Sequence, residues 1–434
     1  MLRLLPLFLA AAVLAEDPPK IPDEEAIALR ERIWTALEDG STKTLDALRI
    51  ELQRKKLTVR QVEGLIRAGR PYAEEQKGSD VRDVTVRFDG SEAEYGLHVP
   101  ESYDPAKPHP LVVELHGTGD TGPHYLATGG WKELSEAEGF LVAAPTASRE
   151  RGQIGTRYGA ELVFDTIRDV RAHYNVDLDR VYLSGFSRGA HATWWLGVFA
   201  TDRFAGIAPR AGSVRQLLTV DSNKERIWEF FPNVRRLPIY ILHGAQDPMV
   251  PSEAAHAAAD KLKELEGDYV LDERNPGGHT IFPDRNDEMW AFWKEKTRDP
   301  IPKKASWVMN DKLFARGWWL TVDEIRASGG TLEYVIQDHT GHTIERRNLA
   351  IDTARATAEV EGRTSIRITG RNCGKVTLRL DDRMVDLDQE VTIWVNGVAE
   401  RHKFARSMKT LLETAAERLD PGMAFTVKTT VRVP

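Results

Sequence analysis

The stretch Val181-Tyr182-Leu183-Ser184-Gly185-Phe186-Ser187-Arg188-Gly189-Ala190-His191 decides the reading of this chain. Its first three residues are β-branched, aromatic and aliphatic, as a buried strand requires, and the residues after Ser187 favour helix. Between them stands Gly-x-Ser-x-Gly, so the pattern predicts strand, sharp turn, helix. Such a turn holds its central serine in a strained backbone conformation, and a glycine two positions to either side lets strand and helix approach without Cβ clashes. Ser187 is therefore a candidate nucleophile at the C-terminal edge of a strand. Arg188 opens the helix, and its backbone N–H, reinforced by the helix dipole, is a candidate oxyanion donor.

Two later strand ends supply partners. The apolar run 237–242 leads into His243-Gly244-Ala245-Gln246-Asp247, and a strand at 268–271 leads into Asn275-Pro276-Gly277-Gly278-His279. An acid after one strand reaches a histidine delivered after the next, so Asp247 is the candidate acid and His279 the candidate base. Ser187, Asp247 and His279 follow the order serine, acid, histidine. Asp260, Asp272 and Glu273 fall in helix or strand and are worse placed. Upstream, the buried strand 111–115 runs into His116-Gly117-Thr118-Gly119, whose tight turn offers Gly117 or Thr118 as the second oxyanion donor. No Lys-Ser/Thr pair follows these glycines, which argues against a phosphate loop. His116, His191 and His243 read as loop and packing residues.

Outside this unit the patterning changes. Residues 23–72 carry helical periodicity (Leu29, Ile33, Leu37, Leu45, Leu48, Leu52, Val62, Ile66, with Thr58 as a cap) and are expected to pack on the catalytic unit. The expected organisation is a signal peptide at 1–15, a helical extension at 16–78, a catalytic domain at 79–298, a proline-containing linker at 299–306 and a β-rich, sandwich-like domain at 307–434, interrupted by a helix at 408–419. Trp194 and Trp195 read as core. The connection 212–236 carries Trp228 and Phe231, candidate substrate-binding residues if it caps the site; an ordinary connection is the other reading.

A chain of 434 residues with 41% hydrophobic and 29% charged residues is expected to fold into more than one globular unit. The formal net charge of −7 offers no attraction for nucleic acid or an anionic membrane. Residues 1–15, Arg3 followed by an apolar run ending in Val13-Leu14-Ala15, are too short to span a bilayer and predict export, to the periplasm or outside. No cysteine follows that run, so no lipid anchor is expected. Cys373 is the only cysteine; no intramolecular disulfide can form, and it reads as a packed residue. His and Cys residues do not fall at zinc-ligand spacing, and no metal or organic cofactor is expected.

From about residue 81 to 296 the chain resembles secreted esterases of the α/β-hydrolase superfamily, the group of feruloyl and acetylxylan esterases, polyhydroxybutyrate depolymerases and related peptidases. The resemblance rests on His116-Gly117, on Gly185-Phe186-Ser187-Arg188-Gly189 with Thr193-Trp194, on Asp202-Arg203-Phe204-Ala205-Gly206-Ile207-Ala208-Pro209, and on His243-Gly244-Ala245-Gln246-Asp247 with Val250-Pro251. It implies an α/β-hydrolase fold and a serine carboxylic-ester hydrolase working through an acyl-enzyme, with acetyl or feruloyl esters on polysaccharide as the substrate class. Arg188 departs from the group, which usually has methionine or a small residue after the serine, and resembles the arginine of glucuronoyl esterases. Alternatives are a glucuronoyl esterase, a serine peptidase of the prolyl-oligopeptidase type, and a binding protein on a hydrolase scaffold. For the C-terminal domain, carbohydrate binding and a docking or dimerising role both stand.

Overall fold

The computed structural model describes residues 21–147, 152, 156–214, 224–326, 328–337 and 341–434. The expected signal peptide, and residues 215–223 of the 212–236 connection, lie outside the described residues. Three helices come first, α1 (Asp23–Asp39), α2 (Thr42–Arg54) and α3 (Val59–Arg67). Gly40, in the left-handed conformation at φ 63°, ends α1. Thr58 and Gln61 form a reciprocal capping box that starts α3.

The central layer is an eight-stranded sheet. Its strands are β1 (Gly78–Val86), β2 (Ser91–Val99), β3 (His109–Leu115), β4 (Leu141–Pro145), β5 (Val176–Phe186), β6 (Gly206–Arg210), β7 (Ile239–Gly244) and β8 (Tyr269–Arg274). They lie in the order β1-β2-β4-β3-β5-β6-β7-β8. The pairs β1/β2 and β2/β4 are antiparallel, and every pair from β4/β3 to β7/β8 is parallel. This is the α/β-hydrolase arrangement. Parallel strands buried on both faces must be unbroken apolar runs, and Leu111–Val113 and Val181–Leu183 are.

Helices cover both faces: α4 (Gly122–Thr128), α5 (Lys132–Glu138) and α9 (Asn286–Trp293) on one, and α6 (Arg157–His173), α7 (Arg188–Phe199) and α8 (Glu253–Glu264) on the other. Trp131, Trp293 and Tyr182 stack in the first layer, with ring centroids 6.1 and 5.1 Å apart. Trp194 and Trp195 of α7 are buried core residues.

The C-terminal region is a β-sandwich. A five-stranded sheet, β18-β17-β15-β14-β9, faces a four-stranded one, β10-β11-β16-β19. The ranges are β9 (Lys304–Met309), β10 (Arg316–Gly317), β11 (Leu320–Ile325), β14 (Ala354–Glu361), β15 (Ser365–Arg371), β16 (Cys373–Leu380), β17 (Glu390–Val395), β18 (Val398–Lys403) and β19 (Val427–Arg432). One apolar core containing Trp307, Trp319, Val322, Ile366, Leu378 and Ile393 joins the two sheets. The strands β12 (Thr331–Gln337) and β13 (Thr343–Ala350) pair only with each other among the described strands. Cys373 is buried and reduced.

Two expectations are corrected. The helical extension does not make the catalytic unit its main partner. Leu29, Ile33, Leu48, Val62 and Ile66 share a core with Leu411, Leu412 and Ala415 of α10 (Met408–Arg418), the helix that follows β18. An amphipathic stripe requires an apolar partner without specifying one, and α10 presents the matching stripe. Contact with the hydrolase region is narrower: Arg171 lies over the Trp34 ring at 4.2 Å, and the Tyr72 hydroxyl donates to the Arg171 carbonyl (2.9 Å). The expected linker 299–306 is also too long, since residues 304–306 pair with β14 as the start of β9. Arg298, just before it, is buried between Asp179 (2.8 Å) and Asp420 (2.7 Å).

Candidate active site

Ser187 sits between β5 and α7 at φ 52° and ψ −112°, a left-handed backbone that costs a residue with a Cβ on the order of 1–3 kcal/mol. The surroundings enforce it. Ser187 N–H donates to the Arg210 carbonyl (2.9 Å), and the His191 N–H donates to the Ser187 carbonyl (3.0 Å). A Cβ on Gly185 would lie 2.5 Å from the Gly189 carbonyl oxygen, and one on Gly189 would lie 2.0 Å from that of Leu115. Only glycine fits at either position, which is why the turn closes so tightly onto the end of β3.

The other two candidates come from the neighbouring strand ends, and all three side chains meet. His279 Nδ1 donates to Asp247 Oδ2 (2.7 Å), and His279 Nε2 lies 2.9 Å from Ser187 Oγ. With Nδ1 carrying the proton toward the carboxylate, Nε2 is left as the acceptor for the serine hydroxyl. The Asp247 side chain is fully buried. Its Oδ1 accepts the N–H groups of Met249 (2.8 Å) and Val250 (2.9 Å). Burial works to raise its pKa; the Val250 N–H, His279 and the Met249 N–H outweigh burial and hold the carboxyl below the usual range. The loops of acid and base are clamped together as well, Gln246 N–H donating to the Gly277 carbonyl (2.8 Å) and Ala245 N–H to that of Arg274 (2.9 Å). A Cβ on Gly244 would lie 2.2 Å from the Gly278 carbonyl oxygen.

The candidate oxyanion donors surround the same turn. Arg188 is the first residue of α7, where a backbone N–H has no acceptor inside the helix. Leu115 is the register partner of Gly185, so the chain leaving β3 through Gly117 and Thr118 passes beside the turn. The buried His116 ring fixes that passage: its Nδ1 donates to the Gly117 carbonyl (2.7 Å) and its Nε2 accepts the Ala147 N–H (3.1 Å). In a trans peptide the N–H opposes the C=O, so Thr118 N–H faces away from that ring. It makes no hydrogen bond among the described residues.

Of the expected substrate-binding pair, Phe231 does not line the site, whereas Trp228 is only partly buried against the core. Phe231 is 1% exposed and packs between Trp194 (6.1 Å) and Trp228 (4.7 Å). The 3₁₀ turns Lys224–Glu229 and Phe231–Val234 are part of the core. Aromatic character alone does not separate a lining residue from a core one. Between these turns and the sandwich, Asn233 donates to the Val198 and Val308 carbonyls (3.1 and 2.9 Å) and accepts the Val308 N–H (2.9 Å).

Residues the sequence reading passed over frame the site. The Phe186 ring lies 4.9 Å from the His279 ring, and a Cβ on Gly117 would lie 3.1 Å from it. His243, read as a packing residue, is buried with Nε2 donating to the Val250 carbonyl (2.8 Å) and 3.5 Å from Asp247 Oδ2. The His-Gly-x-x-Asp spacing was the available signal for it. His191 is buried, and burial pushes it down to about 4, so it is neutral at pH 7. Below the turn, Arg210 and Glu114 form a fully buried ion pair, with Arg210 also over the Tyr125 and Trp131 rings (5.9 and 5.7 Å). Among the described residues no three His, Cys, Asp or Glu side chains gather to hold a metal ion, and no helix is long and apolar enough to cross a membrane.

Residues 147–294, which contain all three residues of the Ser187–His279–Asp247 chain, match the family described as phospholipase/carboxylesterase. Over 165 residues the chain is 30% identical to a bifunctional acetylxylan esterase/xylanase of Neocallimastix patriciarum, covering 36% of this chain and 22% of that protein. It is 35% identical over 127 residues to poly(3-hydroxyalkanoate) depolymerase C of Paucimonas lemoignei, covering 26% and 30%. To acyl-protein thioesterase 1 of Gibberella zeae it is 32% identical over 119 residues, covering 27% and 48%. The chain thus spans less than half the length of each of these relatives.

Proposed function

Taking the domain around Ser187 as a serine hydrolase of the phospholipase/carboxylesterase kind, we propose that this protein is an exported carboxylic-ester hydrolase working through an acyl-enzyme on acetyl or feruloyl groups carried by polysaccharide. The observation that carries the reading is the unbroken hydrogen-bond chain from Ser187 Oγ through His279 to Asp247. His279 Nε2 takes the Ser187 proton as Oγ attacks the ester carbonyl, and Asp247 stays ionised and stabilises the imidazolium. The Arg188 and Thr118 N–H groups receive the oxyanion of the tetrahedral intermediate. His279 then returns the proton to the leaving alcohol, and water, activated by the same ring, releases the acid. Similarity to an acetylxylan esterase supports the acyl and polymer classes, and the apolar run at 1–15 supports export.

Hydrolysis rates on 4-nitrophenyl acetate, methyl ferulate and acetylated xylan, measured beside Ser187→Ala, test the proposal. Expected is turnover of at least one polymer-derived ester, lost by about 10⁴-fold or more in the variant, with a fluorophosphonate probe attached to Ser187 in the parent only. Turnover that survives Ser187→Ala, or a parent inert to all three esters and to the probe, overturns it.

A further inference from the structure

At the end of α7 away from Ser187, a cavity of about 290 Å³ lies where α6 and the C-terminus of α7 meet the 313–316 segment and the end of α10. α7 has 12 residues and so separates the two places by about 18 Å. Arg87, Arg168, Arg203, Arg316 and Arg418 line this cavity.

Cations outnumber their partners here. Asp165 holds both Arg87 (3.1 Å) and Arg168. Glu417 holds both Arg316 (2.5 Å) and Arg379 (3.2 Å), with Lys428 at 3.9 Å. Asp202 holds Arg418 (2.5 Å) and the Trp318 N–H (2.7 Å). Glu161, also on the wall, pairs with Arg157 (3.7 Å). The Arg203 guanidinium carbon lies over the Phe164 ring, 4.2 Å from its centroid, and feels Asp202 and Glu161 only at a distance; among the described residues its side chain makes no hydrogen bond or ion pair.

Donors are in surplus as well. Arg168 Nε, Arg316 Nη2 and Arg379 Nε are buried without an acceptor. The one leftover buried acceptor of the cluster among the described residues, Asp202 Oδ1, does not balance these three donors, and the partly exposed Arg203 adds a further cation at the cavity wall. Burial, then the neighbouring Arg418, push Arg203 down to about 9, and burial with Arg418 and Arg379 holds Arg316 well below the ordinary arginine value.

We propose that this cavity is a binding site for a small oxyanion, a phosphate, sulfate or carboxylate group, held chiefly by Arg203 and Arg316. A guanidinium presents a planar fork of N–H donors matched to such groups, and an anion there offsets the repulsion among cations taken out of water. Arg203 belongs to the hydrolase region and Arg316 to the sandwich, so the bound anion ties the two together.

The test uses the full chain carrying Ser187→Ala, so that the triad cannot account for the signal. Sodium phosphate, sulfate and acetate are titrated against sodium chloride at matched ionic strength, by calorimetry and by thermal unfolding. Expected is saturable one-site binding of at least one oxyanion, with a rise in Tm that chloride does not produce. Phosphate or sulfate ahead of acetate assigns the site to a phosphoryl or sulfuryl group, and the reverse order to a carboxylate. Arg203→Gln is expected to weaken binding by about tenfold or more with only the small loss of Tm in chloride that the missing Phe164 ring contact brings; Arg316→Gln gives a second, independent loss of affinity. Equal binding by the parent and Arg203→Gln, or a Tm that follows ionic strength whatever the anion, overturns the proposal.

Discussion

Asp247 Oδ2 lies 2.7 Å from His279 Nδ1 while two backbone N–H groups hold the other carboxylate oxygen. The acid is therefore fixed from both sides, and with it the histidine tautomer. Asp247→Asn keeps the shape but puts a neutral amide there, which lets the imidazole carry its proton on Nε2, where it cannot accept from Ser187. The expected result is a fall in kcat of roughly 10³–10⁴-fold with little change in KM. Steady-state kinetics on 4-nitrophenyl acetate checks it.

The same carboxyl makes stability depend on pH. Its folded pKa is depressed below the ordinary aspartate value, so folding favours the ionised form. That contribution is fully present above the unfolded value, from about pH 5 upward, and is lost as pH falls through the folded pKa. Relative to Asp247→Asn, the parent is expected to lose stability as pH drops from 5 to 2. Urea unfolding of both proteins across this range measures it.

Glu114 and Arg210 are both essentially inaccessible and lie below the nucleophile turn, whose Ser187 N–H is held by the Arg210 carbonyl. Removing one partner strands a buried charge, so Glu114→Leu or Arg210→Met alone is expected to cost about 3–5 kcal/mol. The double substitution is expected to cost less than either single one. Denaturant midpoints of the four proteins of the cycle check the non-additivity.

Phe231 packs between Trp194 and Trp228 in the core, so its truncation acts on folding. Phe231→Ala is expected to destabilise by about 3–5 kcal/mol and, at a temperature where it remains folded, to leave KM within about twofold of the parent. A large rise in KM with unchanged stability would return Phe231 to the substrate pocket.

The catalytic strand ends were legible because each is a local matter. An apolar β-prone run followed by glycines at set offsets states where a strand stops and how closely the next segment approaches, and Gly185, Gly189 and Gly244 each stand where a Cβ would strike a neighbouring backbone. The serine, acid, histidine order along the chain then points to Ser187, Asp247 and His279. The single cysteine and the alternation beyond residue 307 point in the same way to a reduced, β-rich C-terminal region.

Which segments are buried and which turn is strained can be read along the chain; the partners they meet are settled only when the layers pack. The stripes of α1, α2 and α3 required an apolar face, and it was α10, some 340 residues further on by numbering, that met it. Glu114 and Arg210 are 96 residues apart, and nothing in either neighbourhood announces the other. Arg203 and Arg316 come to one cavity only because the sandwich docks where α7 ends. Burial is written in local periodicity, whereas the pairing of charges and faces across the chain depends on distances that exist only once the layers have packed.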